Sequence, residues 1–200
     1  MATKRQPDLT RRAVLDCAFE EIHRSGFRGA SLEAILERSG VTKGALYHHF
    51  GSKTELGYAV IEEAVRPWVE ESWRPVLEAD DVISAAIALV RELPRRRLPR
   101  LLTLGCPFNN LMNEMASVDA GFRTRLQAIL DDWRDGIVDG LRRGQISGQV
   151  RRDMNPQAAA AFIISAVEGS VGLAKARHSR EFLDSALEGL VSYLESLRPR

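Results

Sequence analysis

The stretch Ser31–Leu56, SLEAILERSGVTKGALYHHFGSKTEL, packs three helix starts into one short span. Ser31 is an N-cap residue ahead of an apolar face made by Leu32, Ile35 and Leu36, and Gly40 ends that helix. Thr42 caps the next helix, with Val41 and Leu46 at the two positions of a hydrophobic staple. Ser52-Lys53-Thr54-Glu55 is a capping box that opens a third. The middle helix is barely two turns long and holds Gly44 in its first turn, where glycine costs about 1 kcal/mol against alanine. Two short helices joined by the tight Ser39-Gly40-Val41 turn have helix-turn-helix spacing. In such a pair the second helix offers its N-terminal residues to base edges in the major groove. A duplex close to the backbone would give the glycine a use.

Outward from this stretch nearly every segment reads as helix. Leu9 to Ser25 places Leu15, Ala18, Phe19 and Ile22 on one face, and Gly26 is expected to close it in a left-handed conformation. The polar, basic Met1 to Asp8, with Lys4 and Arg5, reads as a mobile arm. Asp81 to Leu93 is amphipathic and is expected to stop at Pro94, with Arg95 to Arg100 as a solvated loop. Leu98 to Met115 is a helical stretch interrupted by Pro107. Asp119 to Arg143 aligns Phe122, Leu126, Ile129, Leu130, Trp133 and Ile137. Asn155-Pro156 opens an apolar helix reaching about Ala176, and Arg180 to Leu197 forms the last. No alternating strand pattern or long repeat occurs. The expectation is an all-α chain of about nine helices, with a DNA-binding domain over residues 1–52 and a second helical domain over 53–200.

At 200 residues, with 44% hydrophobic and 28% charged residues, the chain can bury a core as a soluble protein. Its formal net charge of +1 neither favours nor excludes nucleic acid, so any DNA contact must be a local surface. No apolar run is read as approaching the roughly 20 residues of a membrane span, and the N-terminus is unlike a secretory signal. A cytoplasmic location is expected. Cys17 and Cys106 lie far apart and match no zinc spacing, nor do the four histidines. His23 and His178 read as surface residues and Cys17 as core. No metal or cofactor is expected.

The residues placed for DNA contact are Thr42, Lys43, Gly44, Tyr47, His48 and Lys53. Thr42, Lys43 and the free N–H groups of the helix start suit phosphates. Tyr47 and Lys53 are further phosphate candidates, while Lys43, Gly44 and His48 are placed to read bases. The plainer alternative is a solvated face on a structural helix pair. The sequence is more specific than the spacing: Ser31–Leu56, with Gly26-Phe27 before it and Phe50-x-Ser52-Lys53 within it, resembles the N-terminal domain of the TetR family of bacterial transcriptional regulators. The resemblance runs from about Arg11 to Ala59. It implies that the positions named above approach DNA, and that an all-helical C-terminal domain dimerises through its last two long helices and encloses an effector pocket.

The residues beyond fit that expectation. Ala158, Ala161, Phe162, Ser165, Ala166, Gly169, Ser170, Gly172 and Leu173 form a small-residue surface that permits close helix approach. With Leu187, Leu190, Val191 and Leu194 they are expected to build a four-helix seam between two copies, the alternative being an internal core helix. Such a dimer would prefer a palindromic operator. Candidate pocket residues are Cys106, Phe108, Met112, Trp133 and Phe162, with Trp68, Trp73 and Met115 also considered. None dictates a ligand. The segment GCPFNNLMNEMASVDAGFRTRL, Gly105–Leu126, resembles a branch of the family whose members begin this helix with Gly-Cys, some of them sensing electrophiles or oxidants. A cysteine at a helix N-terminus can have a depressed pKa, which Arg95 to Arg97 and Arg100 would assist if they fold beside it. The alternative is a buried, inert Cys106. A thiol-dependent enzyme has only Gly-Cys-Pro in its favour, without a neighbouring histidine or a nucleotide-binding motif. The expected function is a repressor released by a small molecule or by modification of Cys106; an activator of the same fold is the alternative.

Overall fold

The computed structural model describes residues 7–199, with Pro7, Arg96 and Arg97 through their backbone alone. Among these residues the regular structure is entirely helical. In chain order it comprises α1 (Pro7–Gly29), α2 (Leu32–Ser39), α3 (Lys43–Phe50), α4 (Lys53–Val60), α5 (Arg66–Leu77), α6 (Val82–Thr103), α7 (Pro107–Met115), α8 (Ala120–Ser147), α9 (Pro156–Arg177) and α10 (Arg180–Ser196). A π turn, Ile61–Val65, joins α4 to α5. Counting 53–77 as one interrupted helix gives nine among the described residues. The arm expected at the N-terminus lies, for Met1 to Gln6, outside the described residues, while Pro7 and Asp8 begin α1.

The chain divides into two compact units. The first takes residues up to Trp68 together with Asn110–Gln127. Here α1 buries Val14, Leu15, Ala18 and Ile22 and packs against α2, α3 and α4, which contribute Ile35, Leu46, Phe50, Leu56 and Val60. Gly26 has the expected positive φ, 73°, but a ψ of 165° outside the left-handed helical range, so α1 kinks there and resumes to Gly29 rather than closing. The N–H groups freed by the break are taken by one carboxylate: Phe27 N–H and Arg28 N–H donate to Glu114 at 2.8 and 2.9 Å. The positive φ calls for glycine, and a Cβ at position 26 would in addition press on Glu114 Oε2 at 2.8 Å. Nearby, Tyr58 donates to Asp119 at 2.8 Å, and Asp119 also accepts the Phe122 N–H at 2.9 Å. Those two donors, the backbone one first, hold the Asp119 carboxyl below the usual carboxylate range.

The second unit takes Val69–Asn109 and Ala128–Arg200. Its α6 runs unbroken through Pro94 and Pro99, against the expected stop, so Arg95 to Arg100 belong to a helix rather than a loop. An internal proline costs about 3 kcal/mol. The burial of Val90, Pro94 and Leu101 on a helix that packs against α9 and α10 outweighs it. The four leucines and valine of α10 (Leu183, Leu187, Leu190, Val191, Leu194) are buried on the same side. Helix α9 corrects the reading of hydropathy: an 18-residue window within its 22 residues has a mean hydropathy of 1.4, long and apolar enough to cross a membrane by length and composition. In this fold it is a core helix, burying Ala159, Ala160, Ile163, Ile164, Val167, Val171 and Ala174.

Candidate nucleic-acid interface

Helix α3 separates its residues cleanly by face. Val41, Leu46 and Phe50 are 8%, 1% and 5% exposed and hold it to the first unit. Thr42, Lys43, Gly44, Tyr47 and His48 are all exposed. Thr42 accepts the Ala45 N–H at 3.3 Å, fixing the helix start, and Gly51 N–H closes the other end on the Tyr47 carbonyl at 2.9 Å. The first turn holds no acidic residue. Its remaining N–H groups and the positive end of the helix dipole therefore favour an anion beside Thr42 and Lys43. His49, unplaced by the sequence, is half-buried, its ring 5.5 Å from that of His48 and 6.3 Å from that of Phe50.

Gly44 is the informative position. Its φ is not positive, and a Cβ added there would have nothing within 4 Å. Gly57 in α4 differs: a Cβ would strike Phe27 at 2.5 Å and Phe122 at 2.7 Å. The fold needs a glycine at 57 and does not need one at 44.

The surrounding residues hold the helix pair in place. Ser31 and Ser52 cap α2 and α4 by accepting from Ala34 N–H at 3.3 Å and Glu55 N–H at 3.1 Å. Arg11 lies 5.0 Å over the Phe50 ring and pairs with both carboxylate oxygens of Glu63. Lys53 has a role within the fold. Its Nζ donates to the carbonyls of Ala30 at 2.7 Å and Arg28 at 3.2 Å and sits 5.3 Å over the Phe27 ring. It ties the α1–α2 link to α4, leaving one N–H for any phosphate. His23, expected at the surface, is buried against Phe19, with ring centroids 5.9 Å apart.

In the second unit the pocket candidates are only partly brought together. Trp133 packs against Trp73 (4.9 Å between centroids) and Phe108 (6.1 Å), and all three rings are buried, as is Cys106. Met112 belongs to the first unit. Phe162 is 49% exposed against Tyr193, so it lines no interior. Cys106 stands just before Pro107, the first residue of α7. Its thiol is nevertheless pushed well above the usual range, by burial first and then by the negative charge of Glu168, to which it donates. Two backbone N–H groups of the helix start, at Asn109 and Phe108, act in the opposite sense and lose. Of the two readings of Cys106, the burial and the facing carboxylate favour the buried, inert thiol over activation by the helix N-terminus.

Of the seam candidates, Gly169 and Leu173 are exposed and Ala166 is half-buried, whereas Leu187, Leu190 and Leu194 are buried within their own chain. The exposed residues of α10 include Ser185, Gly189 and Ser192 together with the acids Glu181, Asp184, Glu188 and Glu195. Spacing alone put the leucines outward; α6 and α9 claim them. Sequence reasoning missed Glu168 altogether, although a lone acid among the apolar residues from Pro156 to Ala174 was a visible signal. Among the described residues no group of three His, Cys, Asp or Glu side chains is placed to hold a metal.

Residues 14–60 match the bacterial regulatory proteins of the tetR family, and residues 84–190 match the tetracyclin repressor-like C-terminal domain. An HTH-type transcriptional regulator encoded in the lacX 3′ region of Lactococcus lactis subsp. lactis is 27% identical over 192 residues, covering 94% of each chain. The HTH-type transcriptional repressor DhaR of Mycobacterium sp. strain GP1 is 29% identical over 165 residues, covering 81% of this chain and 80% of that one. A TetR transcriptional regulator from Chloroflexus aurantiacus, solved by crystallography, superposes with a TM-score of 0.82 at 27% identity over 94% of this chain and 96% of that one. An exposed helix-turn-helix face, an all-helical second unit and these matches agree: the chain belongs to the TetR family and is a DNA-binding transcriptional regulator, not an enzyme.

Proposed function

We propose that this chain is a homodimeric, cytoplasmic repressor that reads a short palindromic operator through α3 and leaves it when a small molecule binds the C-terminal domain, residues 53–200. The observation that carries the proposal is Gly44. It is exposed, helical and free of neighbours, so a partner outside the chain supplies the reason for a missing Cβ. Thr42, Lys43 and Tyr47 take phosphates around it, and Lys43, Gly44 and His48 meet the bases. Lys53 serves the fold first and adds at most one phosphate bond.

Pairing is supported by the exposed face of α9, where Phe162 (49%) and Leu173 (57%) flank Ser165 and Gly169. Exposed apolar side chains beside small residues favour close helix approach by a second copy. A two-fold pair would set two α3 helices about 34–36 Å apart, one DNA turn. Release by effector is a coupling between sites, typically about 1–3 kcal/mol. Between the two release routes, the burial of Cys106 favours a bound small molecule over thiol modification.

The test is footprinting and titration on DNA upstream of the chain's own gene. A protected palindrome, bound at least about 10³-fold more tightly than random duplex at physiological salt, is the expected result. Equal affinity for both would refute the reading.

A further inference from the structure

Glu168 is the one charged side chain between Pro156 and Ala174; the residue is half-buried, with its Oε2 sheltered from solvent. Its Oε2 has neither solvent exposure nor a hydrogen-bond partner. Among the described residues the group that donates to this carboxylate is the thiol of Cys106, a weak donor. Other sheltered acids in the molecule are better matched. Glu114 accepts two backbone N–H groups, Asp119 accepts a phenol and an N–H, and Glu21 lies within 3.5 and 3.7 Å of Arg24 and Arg38. Trp133 adds a second orphan, a buried Nε1–H with no acceptor. Its ring lies against Trp73 and Phe108, and the Phe108 N–H points at the Cys106 thiol. The N-terminal turn of α7 thus connects the half-satisfied carboxylate to the aromatic trio.

We propose that the effector site is built on Glu168 and takes an organic cation, a ring-bearing apolar molecule with an ammonium or amidinium group. This rests on the effector-released regulator proposed above and names the chemical class of its ligand. A cation supplies what Oε2 lacks, whereas an anionic ligand would meet a like charge in a dry site. Aromatic faces attract cations and bury the apolar body of the ligand. An ether or hydroxyl oxygen on the same molecule would satisfy the Trp133 N–H. Without a ligand the carboxyl relieves its own burial by keeping a proton: desolvation pushes its pKa up to about 7. Binding of a permanent cation then releases that proton to solvent and leaves an ion pair.

The test uses the full-length protein and three classes of probe. The cations are benzyltrimethylammonium and the dye rhodamine 6G, the neutral probe is benzyl alcohol, and the anion is phenylacetate. Affinities are measured by calorimetry in the wild type and in Glu168→Gln. At least one cation should bind about tenfold or more tightly than the neutral and anionic probes, and Glu168→Gln should remove that preference while leaving the neutral probe unchanged. A wild-type readout guards against a variant that fails to fold. The infrared carbonyl band of the protonated Glu168 carboxyl, present at pH 6, should disappear when the cation saturates the protein. No cation binding, equal binding of cation and neutral, a preference retained in Glu168→Gln, or a carboxyl band unmoved by the bound cation would each overturn the proposal. Operator binding is measured in the same samples. Cation binding without operator binding would uphold the site and sink the regulator reading; operator binding without cation binding would do the reverse.

Discussion

Helices α3 and α7 begin alike, each with a short polar side chain, Thr42 or Cys106, followed by a residue that suits a helix start. Both starts present free N–H groups and the positive end of a dipole. At α3 that end is open to solvent, carries Lys43 and has no acidic residue in its first turn. At α7 it is buried, and the group that meets Cys106 is a carboxylate. The same local chemistry therefore makes an anion-binding surface in one place and a thiol that holds its proton in the other. Access and the sign of the neighbouring charge separate them, and neither is a property of the helix start itself.

The comparison can be attacked from its inner face first. Leu46→Ala, on the buried side of α3, should cost about 2–5 kcal/mol of stability in denaturant unfolding. Lys43→Ala, three residues earlier on the open side, should stay within about 0.5 kcal/mol. Similar costs for both would dissolve the two-face description. The buried start is tested by thiol chemistry. With N-ethylmaleimide under native conditions, mapped by mass spectrometry, Cys106 should react about tenfold or more slowly than the half-buried Cys17. Faster reaction at Cys106 would restore the activated-thiol reading.

Glu168 sharpens the same end through pH. Its folded-state pKa is raised by burial from 4.5 to about 7, so the folded chain binds this proton more tightly than the unfolded one. The stability it contributes is complete below about pH 4.5 and drains away as pH rises towards 7. Glu63 and Asp81, with lowered values, act in the opposite sense, so the difference between chains is the useful quantity. The Tm of Glu168→Gln relative to wild type should rise between pH 5 and 8; a constant difference would contradict the assignment. On the open side, Tyr47→Phe should weaken operator binding by about 0.5–1.5 kcal/mol across all bound sequences without changing stability. No change in affinity would remove Tyr47 from the phosphate set.

Much of the first unit was legible because local signals decide it. Ser31, Thr42 and Ser52 cap the helices their spacing predicts, and Leu46 and Phe50 face inward as their periodicity requires. The readings that the structure changes concern groups whose surroundings depend on distant chain. Lys53 looks like a surface cation until the carbonyls of Arg28 and Ala30 arrive beside it. Leu187, Leu190 and Leu194 fit an outward seam until α6 and α9 bury them. Pro94 is a helix breaker that tertiary packing absorbs. Glu168 was visible as a lone acid in an apolar run, but only the unpartnered, sheltered Oε2 in three dimensions gives it meaning.

The central claim is that the fold does not require Gly44 and DNA does, and Gly44→Ala tests both halves in one variant. Replacing an exposed helical glycine by alanine should raise stability by up to about 1 kcal/mol. The same substitution should lower operator affinity by about tenfold or more, roughly 1.4 kcal/mol, because the new methyl group stands where the duplex approaches. Opposite signs in the two measurements are the predicted result. A variant that is more stable and binds the operator as tightly as the wild type would contradict the account.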